Sequence, residues 1–164
     1  MDQQRQVRGF SLIELLIVVS IILIIAAIAI PGLLKARISA NQASAVESMR
    51  TIMTAETSYQ TSYGGYAPTL LALGSAAPCA PGIPPTAVQF CFLDSNLASA
   101  TNAATPKSGY FFTYALGAGN NAFTLNGDPS QPGSTGDMHY FADQSQVIRF
   151  NAAAAAGPAD AVIQ

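Results

Sequence analysis

The chain has 164 residues, half of them apolar and only 10% charged, with a formal charge of −2 and a mean hydropathy of +0.32. One globular unit is the default at this length, but a soluble domain carries roughly 25% charged residues, so this composition needs a membrane or a partner. The near-neutral balance excludes bulk electrostatic attraction to nucleic acid, which needs clustered Lys and Arg.

Residues 1–9, MDQQRQVRG, form a polar leader with Arg5 and Arg8 and nothing apolar except Met1 and Val7. Such a stretch cannot build structure by itself. From Leu15 to Leu34 there is no charged side chain, a run of about 20 residues that matches a bilayer core at ~1.5 Å per helical residue. A secretory signal would have an apolar region of only ~7 to 15 residues and a small-residue cleavage site after it. Ala27-Ile28-Ala29 is a formal match to such a site. The length of the run argues instead that the segment, residues 10–34, is retained in the mature chain. Arg5 and Arg8 precede it and Lys35 and Arg37 follow it, so the positive-inside rule gives no orientation. At Pro31-Gly32 a missing amide and a permissive neighbour predict a kink or local melt.

Residues 35–63 turn polar without becoming a loop. Ile38, Ala45, Val46, Met49, Ile52, Met53 and Tyr59 recur at helical spacings, which predicts an amphipathic second half of one helix of roughly 50 residues. Glu47 and Arg50 supply a weak pair on its exposed side. Gly64-Gly65 is the stop signal.

Residues 64–108 are expected to be an irregular connection, given Pro78, Pro81, Pro84 and Pro85. So long a connection needs something to hold it down. Cys79 and Cys91 are an even, close pair suited to a disulfide in an oxidising compartment, and a loop of that size is worth about 3 kcal/mol in the chain-entropy model. Two unlinked thiols are the plainer alternative. Four strand signals follow within residues 109–151: Tyr110 to Leu116, Ala122 to Asn126, Met138 to Ala142 and Val147 to Asn151. They predict an antiparallel meander with one face on the amphipathic helix. Residues 152–164 read as a mobile tail.

The oddity is Glu14, one carboxylate at the start of a membrane-length helix, which costs on the order of 3 kcal/mol by insertion scales. It needs a partner. If the chain is cut between Gly9 and Phe10, the new amine at Phe10 is a cation one helical turn before Glu14. Paired within one chain, the two groups explain nothing about assembly. Paired between neighbouring helices in a filament core, they fix the register, because a lone charge in that setting is heavily penalised.

The stretch RGFSLIELLIVVSIILIIAAIAIP, residues 8–31, resembles the N-terminal region of type IV pilins. Gly9, Phe10, Glu14 and Pro31 fill the places of that family's leader glycine, first mature phenylalanine, fifth-position glutamate and helix-breaking proline. The resemblance implies cleavage after Gly9 by a prepilin peptidase, N-methylation of Phe10, and assembly from the inner membrane by an ATP-driven machine into an extracellular filament. It also implies an α+β type IV pilin fold, a long N-terminal helix packed on a sheet of about four strands. The resemblance is strong over roughly the first 55 residues and looser over SGYFFTYALG and PGSTGDMHYFADQSQVIRFN. The expected partners are copies of the chain itself, the inner membrane before assembly, and the peptidase and assembly machinery. Two other readings share the motif: a type II secretion pseudopilin, and a minor pilin acting as an adhesion or DNA-binding module.

The remaining candidates are weaker. His139 with Asp137 would suggest acid-base or metal chemistry, but no Cys or second His completes a site, and a solvated strand histidine is the simpler reading. Asn126, Asp128, Asp137 and Asp143 fit no EF-hand spacing and read as turn residues. Strand packing accounts for most of the aromatic residues. Lys35, Arg37, Arg50, Lys107 and Arg149 form no basic stripe, so the single subunit is not expected to bind nucleic acid. No cofactor, catalytic arrangement or phosphate-cradling loop is expected, and the protein reads as a structural subunit that is not an enzyme.

Overall fold

A computed structural model describes residues 10–74 and 84–163, and the chain divides into two compact units, Met1–Ala36 and Arg37–Gln164. Helix α1, Leu12–Tyr63, contributes to both. Within the second unit its buried side chains are Ala45, Ser48, Met49, Ile52, Met53, Ala55, Glu56 and Tyr59, the stripe that a 3.6-residue period places on one face. Thr51 and Thr54, on the opposite side, are exposed. The helix ends where Gly64 takes φ +77° and its N–H donates to the Gln60 carbonyl at 2.8 Å, a left-handed cap that glycine adopts without a Cβ clash.

Five strands make one antiparallel meander in the order β1-β2-β3-β4-β5. They are β1 Tyr110–Leu116, β2 Phe123–Pro129, β3 His139–Asp143, β4 Arg149–Asn151 and β5 Ala161–Val162. Phe112, Leu125, Tyr140 and Ala142 join Met49, Ile52 and Met53 in one hydrophobic core. Gly127 lies opposite Phe112 in the register. A Cβ there would come within 3.2 Å of Met49 Sδ and 3.3 Å of the Phe112 ring, so the bare glycine lets helix and sheet close together. Two side chains tie hairpin turns to α1: Asn41 Nδ2 donates to the Thr135 carbonyl at 2.9 Å, and Gln146 Nε2 donates to Thr57 Oγ1 at 2.7 Å.

The sheet expected to have about four strands has five. β5 pairs with β4 through Arg149↔Val162 and Phe150↔Ala161, inside the segment read as a mobile tail. Asp160 explains the order. Its Oδ2 accepts from the Gly157 amide at 2.8 Å, its Oδ1 from Asn151 Nδ2 at 3.1 Å, and its carbonyl from Arg149 at 3.0 Å.

The segment between α1 and β1 is not wholly irregular. It holds two short helices, α2 Leu70–Leu73 and α3 Ser95–Ser99, capped by Thr69 and Asp94, whose side chains accept from the Ala72 and Leu97 amides. Two tyrosines of α1 also hold it, since Tyr59 Oη donates to the Ala87 carbonyl at 2.8 Å and Tyr63 Oη to the Pro85 carbonyl at 3.3 Å. Tyr59→Phe keeps the ring packing and removes one bond. Urea unfolding is expected to show a loss of about 1 kcal/mol, and an unchanged midpoint would mean that the ring alone anchors the segment.

Candidate functional site

In the first unit, Phe10 and Ser11 precede α1, and the Leu15 amide donates to the Ser11 carbonyl at 3.3 Å. Glu14 is the acid of the first helical turn, where unsatisfied amides and the helix dipole favour a negative charge. On both sides of it the apolar side chains stand outward: Phe10 is 80% and Leu12 82% exposed, and large residues from Ile13 to Leu34 are exposed with them. Ser20 donates inward to the Leu16 carbonyl at 2.8 Å, so its hydroxyl proton makes no demand on the surroundings. This helix is long and apolar enough to cross a membrane. Chemically, it presents one carboxylate at the head of a surface that water solvates poorly.

Gly9 lies outside the described residues, so only the Phe10 side of the expected cleavage junction is described. Pro31 and Gly32 both fall within α1, and a Cβ at Gly32 would meet nothing within 4 Å. Cys79 also lies outside the described residues. Its expected partner Cys91 follows α2 in a left-handed conformation, φ 61°, with its amide donating to the Gly74 carbonyl at 3.3 Å.

Sequence reasoning missed several contacts in the second unit. His139 Nδ1 lies 2.6 Å from Asp128 Oδ1, both side chains being 19% exposed. The histidine read as a solvated strand residue is therefore largely covered, and its contact is Asp128, across the β2–β3 pairing. Only the register of the two strands reveals it. Glu47 and Arg50 do approach, at 3.7 Å, but both are largely exposed, so the pair adds little. Glu56 is fully buried, and its Oε2 accepts from the Ala67 amide at 3.0 Å. A signal for it existed, because Glu56 occupies the same helical stripe as Met49, Ile52, Met53 and Tyr59. Among the described residues no group of three or more His, Cys, Asp or Glu side chains is placed to hold a metal ion.

Comparison with known proteins bears on the first unit above all. Residues 4–30 match the family described as the prokaryotic N-terminal methylation motif. The chain is 48% identical over 52 residues to the type IV major pilin protein PilA of Myxococcus xanthus (strain DK1622). That stretch is 32% of this chain, and it spans only 24% of the length of the curated relative. No solved structure matches the chain. The methylation motif and the pilin relative thus make the N-terminal third of the chain similar to that of a type IV major pilin, and the long N-terminal helix with its five-stranded antiparallel sheet has the α+β architecture that this likeness implies.

Proposed function

We propose that the chain is the structural subunit of a type IV pilus, cleaved between Gly9 and Phe10, N-methylated at Phe10, and polymerised through its hydrophobic N-terminal helix. The observation that carries this reading is the uncharged surface from Leu15 to Leu34, exposed along α1 with Glu14 alone at its head. Before assembly that surface lies in the inner membrane. In the filament it lies against neighbouring helices, so it passes between two apolar surroundings with little contact with water. Glu14 of one subunit takes the Phe10 amine of a neighbour, and a slipped register leaves each charge unpaired in a low-dielectric core. A head-to-tail contact that does not close into a ring continues as a helix of subunits.

Pro31 removes one helical hydrogen bond and Gly32 adds freedom, so the rod kinks or melts there in the filament. A Cys79–Cys91 bridge closes the connection between α1 and β1. A prepilin peptidase and an assembly machine act on the precursor at the inner membrane, and the extracellular filament serves motility, adhesion or DNA uptake. Mass spectrometry of filaments sheared from cells tests the reading. The dominant species is expected to begin with N-methylated Phe10; a chain that retains Met1, or starts beyond Pro31, would overturn it.

A further inference from the structure

Among the described residues Glu56 is the fully buried charged-type side chain, and nothing in filament assembly requires it. Its carboxyl reaches from α1 to the chain just beyond the helix, where Oε2 accepts from the Ala67 amide at 3.0 Å. Tyr114, on β1, donates its hydroxyl to the carbonyl of the same residue, Ala67, at 2.7 Å. The Tyr114 hydroxyl also bears on the Glu56 carboxyl. Oε1 has no hydrogen-bond partner among the described residues. The titratable groups around this point are Tyr59 from α1, Tyr114 from β1 and Tyr66 from the segment between, and no Lys, Arg or His of the described residues acts on Glu56.

A carboxylate offers only acceptors, whereas the neutral acid has an O–H to give. The Tyr114 hydroxyl donates to the Ala67 carbonyl, which leaves its oxygen lone pairs able to accept a proton from a neutral Glu56 carboxyl. We propose that Glu56 is a proton-operated clamp: as the neutral acid it completes a ring of three hydrogen bonds with Tyr114 and the Ala67 backbone, and loss of its proton releases the chain beyond α1 from β1.

The electrostatics agree with the geometry. Burial pushes the Glu56 carboxyl above its ordinary value of 4.5, against the opposing pull of the Ala67 amide and the Tyr114 hydroxyl. The folded chain then holds a proton that the unfolded chain releases. The stabilisation is complete below 4.5 and is lost as pH rises through the higher folded value, by up to about tenfold in the folding equilibrium per pH unit.

Glu56→Gln supplies an acceptor and a donor at the same two positions, so it imitates the neutral acid and cannot ionise. In the detergent-solubilised full chain, urea unfolding is expected to show the wild-type folding equilibrium weakening relative to Glu56→Gln as pH rises above 4.5, by up to about tenfold per pH unit. Hydrogen exchange at the Ala67 amide should accelerate over the same range beyond the intrinsic effect of hydroxide. Parallel pH curves for the two proteins overturn the clamp. A second measurement needs no variant to fold. The protonated-carboxyl infrared band is expected to persist to a higher pH in the folded wild type than in the same chain unfolded by heat, and its loss at the same pH in both sinks the proposal.

Discussion

Replacing Glu14 by valine is expected to cut the yield of surface filaments by about two orders of magnitude, the equilibrium equivalent of roughly 3 kcal/mol for one buried ion-pair partner left alone. The substitution improves the helix as a membrane segment, because it removes the one charge from an otherwise apolar surface. Insertion and retention in the membrane should therefore be unchanged or better. The loss is confined to assembly, where the Phe10 amine of a neighbour would enter an apolar core with no counter-charge. The second unit should stay folded, since no residue before Ala45 belongs to the buried core. Immunoblots of sheared filaments against the membrane pool measure the first effect, and protease resistance of the membrane pool measures the second. Glu14→Gln separates charge from polarity: it keeps the hydrogen-bonding capacity and should fail almost as badly. Filaments of normal yield and diameter from either variant would mean that side-chain packing alone sets the register.

Adding a single methyl group at Gly136 is expected to lower stability by about 3 kcal/mol, the upper end of what overpacking a core produces. A Cβ at that position would fall on the ring and hydroxyl of Tyr110. Tyr110 is fully buried and donates its hydroxyl to the Met138 carbonyl at 2.9 Å, and its ring packs 5.8 Å from that of Tyr140. It cannot swing aside without breaking that bond and opening the core beneath the β2–β3 hairpin. Gly133, three residues earlier, is the control. It has open space where a Cβ would go but a φ of +79°, so Gly133→Ala should lose only about 1 kcal/mol through backbone preference. Thermal or urea unfolding of both variants separates the causes. Equal losses would assign the effect to the backbone and not to Tyr110.

The parts of the fold legible in the sequence are those where periodicity and burial agree. YFFTYAL alternates over seven residues, and β1 runs from Tyr110 to Leu116 as read. The apolar run and the stripe from Ala45 to Tyr59 both lie on α1. β2 extends to Pro129, beyond the expected Asn126, because Gly127-Asp128-Pro129 carries turn composition while its backbone pairs with Tyr110 to Phe112. Tertiary pairing outweighed local preference there. β5 was hidden for the same reason: an alanine-rich end shows no alternation, and its order comes from Asp160, a single residue whose bonds are all to distant or turn positions.

Of the assembly features, Glu14 stood out because it violates the expectation for a membrane helix. Glu56 breaks the same kind of rule on the amphipathic stripe, yet it passed unnoticed among polar neighbours such as Thr54, Thr57 and Ser58. The His139–Asp128 contact depends on strand register and carries no local signature at all.

Any sheet with open margins risks joining a second copy edge to edge, and the two margins of the meander bear on that risk. One margin is β5, only two residues long, too short a template for another strand to recognise. Along the other, the Phe112 amide of β1 is already engaged by the Ala100 carbonyl at 2.7 Å. Sheet-to-sheet adhesion, the route to amyloid-like tangles, is thereby discouraged at both margins of the meander.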